Sequence, residues 1–344
     1  MRALTISAHG GLERLEYRTD VPVPELHAPA DVRVRLRAGA LNHLDLFVVS
    51  GLPGVMITPL WVMGADGVGE IESVGSAVQD LAVGDRVIIN PGMSDRTCEY
   101  CLAGEQSLCV HFSLLGEHHP GTFGEYIVVP ASNVRRIPRD TPDDVAAAFT
   151  LATLTAWRMV VTRAQVRPGD DVLIQGIGGG VALAALQICK QLGARVWVTS
   201  RSDEKLARAR TLGADETINV GGADVAREIR QRTNKRGVDV VVDSVGKATW
   251  QQSVGALAKG GRLVTCGATT GPLVDIDVRR LFWNQWSILG STMGNDEEFD
   301  AVAAELAAGR LLPPVDRVFP LSEGRAAFER LQDAAQFGKI VLTI

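Results

Sequence analysis

A glycine cluster set between an apolar strand and a helix constrains this chain more than any other feature. Val172-Leu173-Ile174 reads as a buried strand. Gly176-Ile177-Gly178-Gly179-Gly180-Val181-Ala182 then turns into a helix reaching about Leu192, and residues 195–199 form a second strand. A glycine cluster alone says little, but one that follows a strand, opens a helix and is succeeded by another strand about twenty residues on points to a dinucleotide. Glycines let the backbone approach a pyrophosphate, and the helix N-terminus offers unpaired N–H groups and the positive end of its dipole. Gly176, Gly178, Gly179, Gly180 and Val181 are therefore candidate cofactor contacts; the competing reading is a glycine-rich turn that binds nothing.

Further apolar strands follow at 238–242, 262–266 and 287–289, with a helix over about 203–212. Alternating strand and helix is the pattern of an α/β doubly wound parallel sheet. The first third differs. Val32, Val34 and Leu36 alternate with Arg33, Arg35 and Arg37, as in a strand with one polar face, and glycine corners at 67–75 and 84–89 suggest a small, partly open barrel. Thr141-Pro142-Asp143 marks the start of a helical stretch over 143–163. At 344 residues the length prior is about two domains. After Gly294 a helix over 299–308 and strand-like pieces at 317–320 and 339–344 close the chain.

The residue ending the second strand bears on which nicotinamide nucleotide fits. An acid there accepts hydrogen bonds from the adenine ribose and repels a 2′-phosphate. This chain has Thr199-Ser200-Arg201-Ser202, with Lys205 one turn later, and a hydroxyl beside a guanidinium suits a phosphate. NADP(H) is the expected cofactor through Ser200, Arg201 and Lys205. Asp203 or Glu204 pairing with Arg201 would leave NAD(H) as the alternative.

Asp95-x₂-Cys98-x₂-Cys101-x₇-Cys109 is a second chemical signal. Two thiolates three residues apart can face one ion, and a closed zinc site takes four ligands, with Asp95 as the fourth. One structural zinc per chain is expected. A disulfide and a redox pair compete with it. The first lacks a secretory context, and the second normally sits at a strand–helix turn, whereas Asn90-Pro91-Gly92 and Ala103-Gly104 frame a loop here.

Composition, with 46% apolar and 22% charged residues, is that of a globular protein. A net charge of −5 without a basic stripe argues against nucleic acid as a partner. No signal peptide and no apolar run long enough to span a bilayer is read, so a cytoplasmic location and no membrane partner are the expectations.

Over its whole length the chain resembles the medium-chain dehydrogenase/reductase superfamily, most closely the branch that mixes zinc-type alcohol dehydrogenases with quinone oxidoreductases. The matching residues are Asn42-His43-Leu44-Asp45, Gly64-Ala65-Asp66-Gly67-Val68-Gly69, the Asp95/Cys98/Cys101/Cys109 lobe, Gly121-Thr122-Phe123-Gly124-Glu125-Tyr126, the glycine cluster and Gly338-Lys339-Ile340. The resemblance implies a GroES-like catalytic domain (1–150 and 295–344) interrupted by a Rossmann domain (151–294), with the active site in the cleft between them. It also implies a homodimer or homotetramer, with Trp283 and Trp286 near the contact. His43 and Lys339 match groups at the cofactor pyrophosphate, and Thr155, Val245, Gly267 and Ser291 match positions around the nicotinamide.

The departures carry the functional reading. Zinc-dependent members have metal ligands where this chain has Asn42, Ala65 and Leu151, and a proton-relay hydroxyl where it has Leu44. Asn is a poor zinc ligand, and Ala and Leu cannot ligate. The resemblance thus implies an apolar pocket of Leu44, Phe47, Trp61 and Leu151 with Asn42 as hydrogen-bond donor. The expected activity is NADPH-dependent hydride transfer to an activated C=C bond or quinone of a small-molecule substrate. An alcohol dehydrogenase or carbonyl reductase, or a cofactor-binding protein with little turnover, are the alternatives.

Overall fold

The computed structural model describes residues 1–52 and 54–344. They form two compact units, Met1–Ala152 with Gly294–Ile344, and Thr153–Met293.

In the first unit the alternating stretch is a long strand, Asp31–Ala40, with Val32, Val34 and Leu36 inward. It is the hub of a seven-stranded sheet, pairing antiparallel with Asp66–Val74, Tyr126–Pro130 and the C-terminal Lys339–Thr343. Its outward arginines meet acids on the neighbouring strand, Arg33 with Glu72 at 2.6 Å and Arg37 with Glu70 at 3.4 Å. Such exposed cross-strand pairs add only tenths of a kcal/mol each, up to about 1. Burial does the larger share, through a core in which Phe123 and Phe328 meet edge to face at 6.3 Å.

The two glycine motifs of this unit hold one chain segment in place. Gly64 has φ +97°, and a Cβ there would stand 2.3 Å from the Phe123 ring. Thr122 Oγ1 donates to the Asp66 carbonyl at 2.7 Å. Packing glycine against an aromatic ring sets Ala65 and Asp66 where strand Asp66–Val74 begins, and the first four residues of that strand are buried.

The second unit is a six-stranded parallel sheet in the order Glu216–Asn219, Arg195–Ser200, Asp171–Ile174, Val238–Asp243, Leu257–Thr265, Ser287–Gly290. Its central strands are apolar on both faces, as helices on both sides require. The order reverses between Asp171–Ile174 and Val238–Asp243, where open α/β sheets bind ligands. The helical stretch expected over 143–163 is three pieces: Asp143–Ala147, Thr150–Trp157 and a wide π-type turn, Arg158–Arg163. Among the described residues no helix is long and apolar enough to cross a membrane.

Candidate functional site

In the first unit the chemistry gathers where helix His43–Ser50 begins. Asn42 is its N-cap and Asp45 its third residue, and a carboxylate oxygen of Asp45 accepts from the Asn42 backbone N–H at 2.7 Å. Such a reciprocal cap satisfies helix donors that would otherwise be orphaned. Asp45 is 1% exposed, and burial pushes its carboxyl up to about 7.

The Asn42 side chain is fully engaged. Its amide donates to Asp66 Oδ2 at 3.0 Å and to the Ala40 carbonyl at 3.3 Å, and its oxygen accepts from Lys339 Nζ at 2.5 Å. Lys339 also donates to Asp66 Oδ2 at 3.0 Å, and the other oxygen of Asp66 accepts from the Leu151 backbone N–H at 2.7 Å. Lys339 is 4% exposed and Asp66 fully buried.

Two expectations are corrected here. Asn42 has no amide hydrogen left for a substrate oxygen, because Asp66 and Ala40 take both. Lys339 is not a free cation but one half of a buried ion pair, drawn in by the charge of Asp66, with one of its three N–H groups not taken by these two acceptors. The cation of this cluster is an ammonium joined to residues 42 and 66. The pairing of Lys339 with Asp66 was not anticipated from the sequence.

His43 opens the helix and reaches solvent, yet the protein packed around it, and then Lys339, lower its pKa. Leu44 packs partly buried against the core. Trp61 is also core rather than an open pocket wall, since it is 7% exposed and its indole N–H donates to the Gly116 carbonyl at 3.0 Å. Phe47, 37% exposed, faces outward rather than lining an enclosed pocket.

The Asp95, Cys98, Cys101 and Cys109 side chains assemble as a cluster that could hold a metal ion. One donor atom each from Asp95, Cys98, Cys101 and Cys109 lies within 4.8 Å of all the others. Tetrahedral zinc with Zn–S of about 2.3 Å needs donor separations near 3.8 Å, so the set fits such an ion with a small contraction. Backbone N–H groups of Asp95 and His111 each reach Cys109 Sγ at 3.3 Å. The N–H of Cys98, the His111 ring and the N–H of Thr97 hold the Asp95 carboxyl far below its ordinary range. His111 was not anticipated from the sequence; its spacing two residues after Cys109 was the signal.

The second unit presents the glycine turn beyond the sheet's C-terminal edge. Gly176 has φ +69°, and a Cβ there would press against Val245 at 3.0 Å. Gly179 is the N-cap of helix Gly180–Gln191, Val181 lies in its first turn, and the space around Gly179 is open. These backbone groups fit a pyrophosphate. Thr155 is buried, its hydroxyl 3.6 Å from Met293 Sδ. The Val245 N–H donates to Asp243 at 2.8 Å, and the Gly267 carbonyl accepts from Thr265 at 3.2 Å. Among the described residues Ser291 Oγ is buried without a hydrogen-bond partner.

At the end of the second strand Ser200 accepts from the Ser202 N–H at 3.1 Å, and Ser202 caps the following helix by accepting from Lys205. Arg201 is exposed. Asp203 pairs with Asn219 at 2.6 Å rather than with Arg201. Helix Val278–Asn284 beside the edge strand exposes Phe282 and Trp283, whereas Trp286 is core.

Comparison with known proteins agrees with this arrangement. Residues 28–139 match the alcohol dehydrogenase GroES-like domain family, and residues 180–308 the zinc-binding dehydrogenase family. A zinc-type alcohol dehydrogenase-like protein of Schizosaccharomyces pombe is 34% identical, across 98% of this chain and 97% of its own. An acryloyl-coenzyme A reductase of Metallosphaera sedula is 31% identical over the full length of both chains. A crystal structure described as an NAD-dependent alcohol dehydrogenase superposes with a TM-score of 0.95 at 44% identity, covering all of both chains. The chain belongs to the medium-chain dehydrogenase/reductase superfamily and is an oxidoreductase.

Proposed function

We propose that this oxidoreductase reduces an activated C=C bond or a quinone with NADPH and uses no catalytic metal. The observation that carries the reading is the Lys339–Asp66–Asn42 cluster. Of three positions that could ligate a metal, two are Ala65 and Leu151, and the third, Asn42, is bonded to an ammonium. A lysine already neutralises Asp66, so a divalent ion has neither the ligands nor the unpaired charge to hold it.

A bound reduced nicotinamide supplies the hydride. In a conjugated carbonyl the β-carbon would receive it, negative charge would develop on oxygen, and a proton from solvent would complete the saturated carbonyl. That charge needs a donor rather than a Lewis acid. Lys339 has three N–H groups and two protein acceptors, which leaves one for such an oxygen. An alcohol substrate, by contrast, needs its hydroxyl acidified and its proton taken, and Leu44 offers no exchangeable proton.

Exposed Arg201, with Asp203 turned to Asn219, supports a 2′-phosphate and hence NADP(H). The Asp95/Cys98/Cys101/Cys109 lobe would hold one zinc with a closed shell, in a structural role. The apolar face of Phe282 and Trp283 supports self-association of two chains; a monomer by light scattering would rule that out.

A panel of enones, quinones, aldehydes and alcohols, run with NADPH and with NADH, tests the reading. Turnover of enones or quinones with preference for NADPH is the expected result. The similarity to alcohol dehydrogenases makes alcohol oxidation the competing outcome.

A further inference from the structure

Behind the glycine turn runs a buried chain of hydrogen bonds that no packing requirement explains. The Gly176 N–H donates to Thr199 Oγ1 at 3.0 Å, and the Thr199 hydroxyl donates to Gln175 Oε1 at 2.7 Å. Gln175 Nε2 donates to Ser253 Oγ at 3.0 Å, and Ser253 donates to Asp243 Oδ2 at 2.6 Å. The second oxygen of Asp243 accepts from the N–H groups of Val245 at 2.8 Å and Gly246 at 3.1 Å. Thr249 closes the end by bonding the same carboxylate. Gln175, Thr199, Ser253 and Asp243 are all between 0 and 2% exposed.

The chain crosses three neighbouring strands at their carboxyl ends: Arg195–Ser200, Asp171–Ile174 and Val238–Asp243. One of its termini is the glycine turn assigned to a pyrophosphate, and the other is the turn at Val245 and Gly246 assigned to the nicotinamide wall. The direction of donation runs toward a single carboxylate, that of Asp243.

Stability does not call for this arrangement. Apolar residues of the same shape would fill the sheet without desolvating a carboxylate, and buried polar networks rarely stabilise more than such a filling. What a fully satisfied network adds is a fixed geometry.

We propose that Gln175, Thr199, Ser253 and Asp243 are positioning residues that lock the pyrophosphate turn and the nicotinamide wall into one register, so that both halves of a dinucleotide are met at once. This rests on the assignment of the glycine turn as a dinucleotide site. Its consequence is specific: breaking the middle of the chain weakens the whole dinucleotide, whereas each half, which needs only one turn, still binds.

The test uses the full-length protein with Ser253→Ala and, at the other end of the chain, Thr199→Val. Dissociation constants are measured for NADPH, NADH, ADP-ribose and reduced nicotinamide mononucleotide by fluorescence and calorimetry. Each variant is expected to weaken the preferred dinucleotide about tenfold, the effect of one lost buried hydrogen bond. Each half should change by less than about twofold. Retained binding of the halves also shows that the variant is folded. Equal weakening of the dinucleotide and its halves, or no weakening at all, would overturn the coupling. A wild-type protein that binds neither dinucleotide nor ADP-ribose would remove the underlying assignment as well.

Discussion

At the scale of the residue, the proposed chemistry turns on Lys339. Replacing it with Met leaves Asp66 buried and unpaired, a change that costs about 3–5 kcal/mol when a buried pair is broken. Loss of fold and loss of chemistry must therefore be separated. Lys339→Met combined with Asp66→Asn restores neutrality while removing the ammonium. This double variant is expected to melt close to the wild type yet reduce enones roughly a hundredfold more slowly, the effect of one lost oxyanion donor. Lys339→Arg should recover part of the rate. Undiminished turnover in the double variant, measured at saturating cofactor, would show that the ammonium is only structural.

Asp45 makes a pH prediction. Its carboxyl is raised by burial from 3.8 to about 7, so between those values the folded state holds a proton that the unfolded state has released. Stability from this group is full below about pH 4 and is lost as pH rises through 7, with a slope of at most about 1.4 kcal/mol per pH unit. Asp45→Asn keeps an acceptor for the Asn42 N–H and should flatten the pH dependence of the melting temperature between about pH 4 and 7. A variant whose melting profile tracks the wild type across that range would contradict the assignment.

At the scale of the element, the metal lobe and the glycine turn contrast with the cluster at residue 42. Both were legible because each is local: Cys98, Cys101 and Cys109 lie within twelve positions, and Gly176 to Val181 is a single turn. The register of Val32, Val34 and Leu36 against Arg33, Arg35 and Arg37 was equally plain, since alternation is a property of neighbours. Strand Glu216–Asn219 and helix Val225–Arg232 were not apparent. The strand is only four residues, and the helix has buried only Val225 and Ile229, too few to stamp a period. Lys339 and Asp66 are 273 positions apart, so their pairing is written in topology rather than in spacing.

The lobe carries its own prediction. Protein purified without chelator should contain one zinc per chain, and Cys98→Ala should lose it and melt at lower temperature, since structural zinc contributes on the order of 10 kcal/mol to local folding. Zero or two zinc ions per chain by elemental analysis would defeat the assignment.

At the scale of the whole molecule, the chain shares a full-length fold with proteins named for alcohol oxidation and with one named for reduction of an acryloyl thioester. Fold therefore does not decide the reaction; in the proposed reading the side chains at 42, 65, 66, 151 and 339 do. The most direct measurement is steady-state turnover of a matched pair, an enone and its allylic alcohol, by protein whose zinc content has been set at one per chain. Conditions are chosen so that both directions are thermodynamically allowed. The account predicts that enone C=C reduction with NADPH proceeds at this zinc content, is unchanged by added zinc, and exceeds oxidation of the alcohol by at least about tenfold. Faster oxidation of the alcohol, or activity that rises with a second zinc, would contradict it.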